Sequence, residues 1–189
     1  MKCRFSIVVA LLGSSLCSGQ AWKDTPTTDP LRGTSYDQFE LVGKYLTAPR
    51  NASPNSIPSL IVRCQKDPKA FHGHARGKFV GGYIYTQSVV DSGAGGSEGS
   101  VRVQYRRDDG KLQDAFWSHS TDFSSVFFQD IDFNTIMFGH FMPHKEGTGP
   151  QTHKLVVGMQ EFLGTEIVVQ FDLPEDADVL ETCGVLWHK

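Results

Sequence analysis

The chain has 189 residues, of which 39% are hydrophobic and 11% aromatic, and its formal net charge is −3. This length suits one globular domain with short extensions, and the apolar content excludes intrinsic disorder over most of the chain. Because the charge gives no broad basic field, the composition also argues against nucleic-acid binding.

The first 21 residues have the pattern of an export signal. Lys2 and Arg4 are basic, residues 5–16 form an apolar run, and Ala21 is among the small residues that a signal peptidase accepts. That run is too short to span a bilayer, and no later segment approaches the necessary length. We therefore expect an exported protein, periplasmic or secreted, with no transmembrane segment in the mature chain.

Export changes how the four cysteines are interpreted. Cys3 and Cys17 would leave with the leader, and a lipid at Cys17 is disfavoured because the bulky Leu16 precedes it. The mature chain would keep Cys64 and Cys183, an even pair in an oxidising compartment. The sequence predicts one disulfide between them, and two separately buried thiols are the alternative.

Residues 22–58 are predicted to form an irregular arm, because "DTPTTDP" and "PRNASPNSIP" hold most of the prolines. Between these runs, "YDQFELVGKYLTA" fits either a short strand or a helical turn. The triplet that begins at Asn51 is a glycan acceptor if the source is a eukaryote.

Residues 59–189 are predicted to form one domain of the all-β class. β-Branched and aromatic runs alternate with Gly, Asp and Pro, which favours a two-layer antiparallel β-sandwich. At the end of the chain, "EDADVLETCG" predicts a short C-terminal helix. The runs are "SLIVRC", "KFVGGYIYTQSVV", "VRVQYRR", "LQDAFWSHS", "SSVFF", "NTIMFGHFM", "HKLVVGMQEF" and "EIVVQFDL". Their alternation predicts core positions for Ile61, Val101, Val103, Tyr105, Ile167, Val169 and Phe171.

The segment from Val101 to Asp122 is rich in charged and polar groups, and most of it is explained by a half-buried hairpin. Its turn is Asp108-Asp109-Gly110, which favours a hairpin because Gly110 can adopt a positive φ at no steric cost.

The hairpin leaves "WSHSTD" unexplained, since Trp117, Ser118, Thr121 and Asp122 leave the strand together. These four residues form either a structural corner or a recognition site. The structural role is favoured, because carboxylates and hydroxyls past a strand end commonly order turns through hydrogen bonds to the backbone.

The order of five short motifs, "SLIVRC", "VQYRRDDG", "FWSHSTDFSSVFF", "IVVQFDLPE" and "ETCGVLW", resembles that of the VasI-like accessory proteins of type VI secretion systems and related exported domains. The resemblance covers roughly residues 59–188. It implies an exported β-rich domain with no established catalytic role.

Two patterns suggest chemistry. Residues 95–99 match the G-x-S-x-G nucleophile elbow, but a strand follows where a helix is required, so we expect a flexible loop. His72 and His74 would share one face of a strand, and His140, His144 and His153 flank a loop. Either set suits zinc or copper, yet no metal-binding spacing supports it, so we expect surface imidazoles and no cofactor.

Two functional hypotheses follow. The first is a non-catalytic domain that binds a partner protein or a cell-envelope component, a role that includes that of a secretion-system accessory. The second is a secreted hydrolase or metal-dependent enzyme that uses His140, His144, His153 and Asp122. They differ in whether these titratable groups converge.

Overall fold

The computed structural model describes residues 21–28, 33–66, 77–91, 99–128, 136, 152–162, 164–174, 179 and 182–183. In this part of the chain every strand runs antiparallel to its neighbours within one sheet, which confirms the all-β class. The strands are β1 (Lys23–Thr28), β2 (Ser35–Val42), β3 (Lys44–Thr47), β4 (Ser59–Lys66), β5 (Gly77–Tyr85), β6 (Ser100–Arg107), β7 (Gln113–His119), β8 (Ser125–Phe128), β9 (Lys154–Gln160) and β10 (Glu166–Asp172).

The sheet curls so that its two ends meet at Gly43. Its hydrogen-bonded order is β1-β2-β4-β5-β8-β7-β6-β9-β10-β3. Only Gly43 separates β2 from β3, yet β2 pairs with β4 whereas β3 pairs with β10 at the far end of the order. Gly43 packs against β10, since a Cβ there would lie 2.5 Å from the Phe171 ring. The sheet is therefore rolled around one core. Because all the described strands belong to one continuous sheet, the two separate layers of a β-sandwich remain a prediction.

The rolled sheet has two ends, which we call the upper and lower rims. The upper rim is where β5 ends and β8 begins, at the pair Tyr85 and Ser125. The lower rim holds the turn from β6 to β7 and the ends of β4 and β10. Because β7 runs from the lower to the upper rim, its two ends place residues on opposite sides of the molecule.

Alternation along the strands builds the core. Trp117 and Phe171 are the largest fully buried side chains. All seven residues predicted for the core are buried, but Ile61 is absent from the interior cluster. In β4 the residues that join the cluster are Leu60, Val62 and Cys64, so Ile61 is covered on the outer face instead. When a strand is apolar on both faces, its sequence does not show which face points into the core.

Residues 22–58, predicted to be an irregular arm, instead contain β1, β2 and β3. β2 and β3 realise the strand alternative for "YDQFELVGKYLTA", whereas β1 lies in a run predicted to be irregular. In β2 the buried residues Asp37, Phe39 and Leu41 alternate with partly exposed ones. The first of these buried residues, Asp37, is not apolar, so a search for alternating apolar residues does not detect the period of two in β2. β1 contains Pro26 and pairs with β2 alone among the described strands, as expected for an edge strand.

The hairpin of β6 and β7 forms as predicted, but its turn has different geometry. Asp108 adopts the positive φ, at 47°, rather than Gly110. The Asp108 carboxylate accepts backbone N–H groups from His153 at 3.0 Å and Lys154 at 2.8 Å. These bonds hold Asp108 in place, whereas a Cβ on Gly110 would come 2.9 Å from the carbonyl of Arg107.

Several predictions fall wholly or mostly outside the described residues. They include the export signal up to residue 20, the loop over 92–98 and most of "NTIMFGHFM", in which Ile136 is buried with helical backbone geometry. Of the C-terminal helix, Val179 and Thr182 are helical, and the N–H of Cys183 donates to the carbonyl of Val179. The complete helix remains a prediction. Within the described part, no helix has the length and apolar character needed to cross a membrane.

Candidate functional site

Of the four predicted corner residues, Trp117 belongs to the core. Its side chain is fully buried, with ring centroids 6.0 Å from Tyr105 and 5.5 Å from Phe128. Ser118 is exposed on β7, and Thr121 is exposed in the turn that follows. Trp117 therefore points inward while the two hydroxyl residues face outward, and the structure does not gather these residues into one pocket.

Asp122 organises the turn between β7 and β8. Its Oδ1 accepts the hydroxyl of Ser120, the backbone N–H of Ser124 at 3.1 Å and the hydroxyl of Ser124 at 2.9 Å. The Ser120 hydroxyl in turn accepts the N–H of Ser125. The hydrogen bonds from Ser120 and then Ser124 lower the pKa of Asp122. The carboxylate is exposed, and the bonds it accepts are those of a turn.

The loop after β5 reinforces the same turn. Phe123 adopts a φ of 59°, and its carbonyl accepts the N–H of Val90 at 3.0 Å, while the carbonyl of Ser124 accepts the N–H of Thr86 at 2.9 Å. The ring of His119 stacks on Phe123 with centroids 4.3 Å apart. Backbone groups of this turn therefore connect it to the loop after β5, and both lie at the upper rim.

Cys64 and Cys183 are joined by a disulfide, as the sequence predicts, with Cα atoms 4.9 Å apart. Both residues are buried. The carbonyl of Cys183 also accepts the N–H of Phe79 on β5 at 3.1 Å. The C-terminal segment is thus attached to the lower rim by a covalent bond and a hydrogen bond.

The groups proposed for catalysis do not converge where they can be compared. Asp122 follows the end of β7 at the upper rim, whereas the exposed His153 precedes β9 at the lower rim. His140, His144 and Ser97 lie outside the described residues. Within the described residues, no three His, Cys, Asp or Glu side chains are grouped so that they could hold a metal ion.

The outer face of β2, β4 and β5 carries a different constellation, in which an arginine lies between two tyrosines. The guanidinium carbon of Arg63 is 5.6 Å from the ring centroid of Tyr36 and 5.1 Å from that of Tyr83. Its Nε donates to Gln38 Oε1 at 3.0 Å, and its Nη2 donates to the Tyr83 hydroxyl at 3.1 Å. Next to it, the Tyr83 ring packs on Phe127 with centroids 5.2 Å apart. We call these five residues the Arg63 surface.

The Arg63 surface is ordered before any ligand binds. Two rings and two hydrogen bonds hold the guanidinium in one orientation, and no other described residue accepts a hydrogen bond from its remaining N–H groups. Partial burial raises the pKa of Tyr83, although the positive charge of Arg63 acts in the opposite direction. Tyr83 thus stays a neutral phenol near pH 7. Val80 on the same strand is 54% exposed and extends the apolar area.

Sequence reasoning missed this surface because its residues come from four separate strands. Tyr36 and Gln38 lie in "YDQFELVGKYLTA", which fits either a strand or a helical turn, and Arg63 lies in a run dominated by apolar residues. One clue in the sequence was that Tyr83 directly precedes the inward-pointing Ile84 on β5, so its ring lies on the outer face of the strand. Strand order, which the sequence does not reveal, brings Tyr36, Arg63 and Tyr83 into line.

Comparisons with protein-family models, with curated proteins and with solved structures gave no match to this chain.

Proposed function

We propose that this chain is an exported, non-catalytic β-domain that binds a partner protein through the Arg63 surface. The observation that carries the proposal is the guanidinium of Arg63 held between Tyr36 and Tyr83. Tyrosine and arginine dominate the energetics of protein interfaces, and side chains that are already ordered lose little entropy on binding.

The chemistry of the surface defines the partner. An arginine with free N–H groups in a fixed plane suits a carboxylate, which it can bind through two parallel hydrogen bonds. The aromatic rings and Val80 around it suit apolar side chains. The partner is therefore a protein that presents an Asp, a Glu or a C-terminal carboxylate flanked by apolar residues. An accessory role in a type VI secretion system rests on the sequence resemblance and is compatible with such a partner.

The edge strand is the less suitable contact. β1 has a free edge in the described part of the sheet, but it carries Lys23 and lacks an N–H at Pro26. These features protect an edge from pairing with another strand. We therefore assign recognition to the side chains of the Arg63 surface rather than to strand addition.

The first test is site-specific photo-crosslinking in cells of the source organism. A photoreactive residue replaces Val80 beside the surface, and the control replaces Leu112, which is 60% exposed near the lower-rim turn. We expect a protein to be crosslinked from position 80 and not from position 112. Recovery of a glycan or lipid from position 80, or of the same protein from both positions, would overturn the assignment.

The second test measures the affinity of the purified crosslinked protein by calorimetry. Arg63→Ala should weaken binding by about 2 kcal/mol or more, as for a central interface arginine. Arg63→Lys should recover little of it, because an ammonium group cannot bind in the same plane. Arg106→Ala, at an exposed arginine of β6, is the matched control and should bind like the wild type. Equal affinities for Arg63→Ala and Arg106→Ala would refute the proposal.

A further inference from the structure

A second recognition feature lies on different strands from the Arg63 surface. The outer faces of β6, β9 and β10 form a cleft of about 450 Å³ that reaches the loops of the upper rim. This volume falls in the range of small-molecule sites, roughly 300–1,000 Å³. The cleft is lined by Asp91, Arg102, Gln104, Gly158, Met159, Gln160, Gly164 and Glu166.

The depth of the cleft depends on Gly158 in the middle of β9. A Cβ at this position would lie 3.1 Å from Glu166 Oε1 and 3.7 Å from the carbonyl of Gln104. Any side chain there would fill the space between β6 and β10. The missing side chain lets a ligand approach the backbone of the sheet closely.

Asp114, just outside the cleft, fixes two of its donors. Its Oδ1 accepts Arg102 Nη2 at 2.8 Å, Arg102 Nε at 3.1 Å and Gln104 Nε2 at 3.0 Å. The hydrogen bonds from Gln104 and then Arg102 lower the pKa of this exposed carboxyl. Arg102 and Gln104 are therefore oriented in advance, which reduces the entropy lost when a ligand binds.

The walls combine acceptors with donors. Asp91 and Glu166 supply carboxylate oxygens, while Arg102 and the carboxamides supply N–H groups. Phe116 stands across from Arg102 on β7 and is 51% exposed, so it offers an apolar ring beside the polar cleft. The two carboxylates disfavour an anion, and the polar walls disfavour a purely apolar ligand.

We propose that this cleft binds a neutral carbohydrate. Each sugar hydroxyl both donates and accepts, so it can bridge a carboxylate on one wall and an N–H group on the other. The C–H face of a sugar ring can pack on Phe116, as apolar groups pack on exposed aromatic rings. This site is independent of the protein partner and uses none of the residues of the Arg63 surface.

The test is a nuclear magnetic resonance titration of the ¹⁵N-labelled mature chain. The probes are cellohexaose, maltohexaose and chitohexaose, with the anionic hexagalacturonate for comparison, each up to about 10 mM so that a millimolar Kd is detected. We expect at least one neutral probe to shift the backbone amides of Gly158 and Gly164 and the side-chain amide of Gln160, whereas hexagalacturonate should not.

Variants then locate the site. Glu166→Ala and Gly158→Ala should each weaken binding of the responding sugar about tenfold, the first by removing acceptors and the second by filling the cleft. Asp172→Asn, at an exposed carboxylate of the same strand outside the cleft, is the control and should bind like the wild type. The proposal is overturned if no neutral probe shifts these amides, if hexagalacturonate shifts them equally, or if binding survives both variants.

Discussion

Replacement of Gly82 by alanine should show directly how tightly β5 packs against β8. Gly82 pairs with Phe128, and a Cβ on Gly82 would lie 2.2 Å from Cζ and 2.4 Å from Cε2 of the Phe128 ring. The ring cannot easily withdraw, because it packs between Phe79 at 6.0 Å and Trp117 at 5.5 Å. The extra methyl group must therefore displace either the strand or the aromatic cluster.

The cost can be estimated from two opposing terms. Overpacking a core typically costs about 1–3 kcal/mol, and contact with several atoms of a confined ring points to the upper part of that range. A Gly→Ala change also restricts the unfolded chain, and this effect stabilises the folded state by about 0.4–1 kcal/mol. We expect Gly82→Ala to lower the free energy of unfolding by about 1–2.5 kcal/mol.

The neighbouring Gly81 is the matched control, because a Cβ there would meet nothing within 4 Å. Gly81→Ala should therefore be neutral or slightly stabilising, and urea unfolding of the two variants should separate them by about 1–3.5 kcal/mol. Combining Gly82→Ala with Phe128→Leu should cost less than the sum of the single changes. Equal stability of the two alanine variants would show that Gly82 does not face Phe128.

Three further changes test other parts of the fold. Replacing both Cys64 and Cys183 by alanine should lower the free energy of unfolding by about 4–5 kcal/mol in the chain-entropy model, since the bridge spans 119 residues; urea unfolding that matches the oxidised wild type would contradict this. Burial, with Tyr85 adding to it, raises the pKa of Tyr45 to about 12 from its usual 10.0. Between pH 10 and about 12 the Tyr45 phenol is ionised in the unfolded chain but still protonated in the folded one. The folded state should therefore lose stability as the pH rises through this range, and Tyr45→Phe should flatten this part of the pH profile of thermal unfolding. Hydrogen bonds lower the pKa of Asp122 below 3.8, so its contribution to stability is present above that pH and lost as the pH falls further. Asp122→Ala should lower the melting temperature at pH 7, and an unchanged melting temperature would show that the turn does not need the carboxylate.

The sequence predicted what depends on local pattern. Alternation in "VRVQYRR" identified Val101, Val103 and Tyr105 as interior residues, and all three are buried. Ile61 is also buried, as predicted, but it lies outside the interior cluster, because β4 is apolar on both faces and only its neighbours decide which face points inward. The all-β class followed from the β-branched and aromatic runs and from the Gly, Asp and Pro residues that separate them. The meeting of the two ends of the sheet at Gly43, in contrast, depends on long-range strand pairing that no local pattern encodes.

The candidate site was less predictable than the fold. The sequence selected the corner at Asp122 because its polar residues are adjacent in the chain, and the structure uses them to form a turn. Tyr36, Arg63 and Tyr83 are far apart in sequence and become neighbours through the order β2-β4-β5. A site assembled across strands leaves a weak trace in the sequence, because each of its residues looks like an ordinary outward-facing position.

In the proposed function, recognition resides in the Arg63 surface, while the corner at Asp122 is structural. One calorimetric comparison decides between them: the affinity of the crosslinked partner for Arg63→Ala and for Asp122→Ala, at a temperature where both variants are folded. We predict that Arg63→Ala weakens binding about 30-fold or more and that Asp122→Ala binds like the wild type. Loss of binding in Asp122→Ala with full affinity in Arg63→Ala would contradict the account.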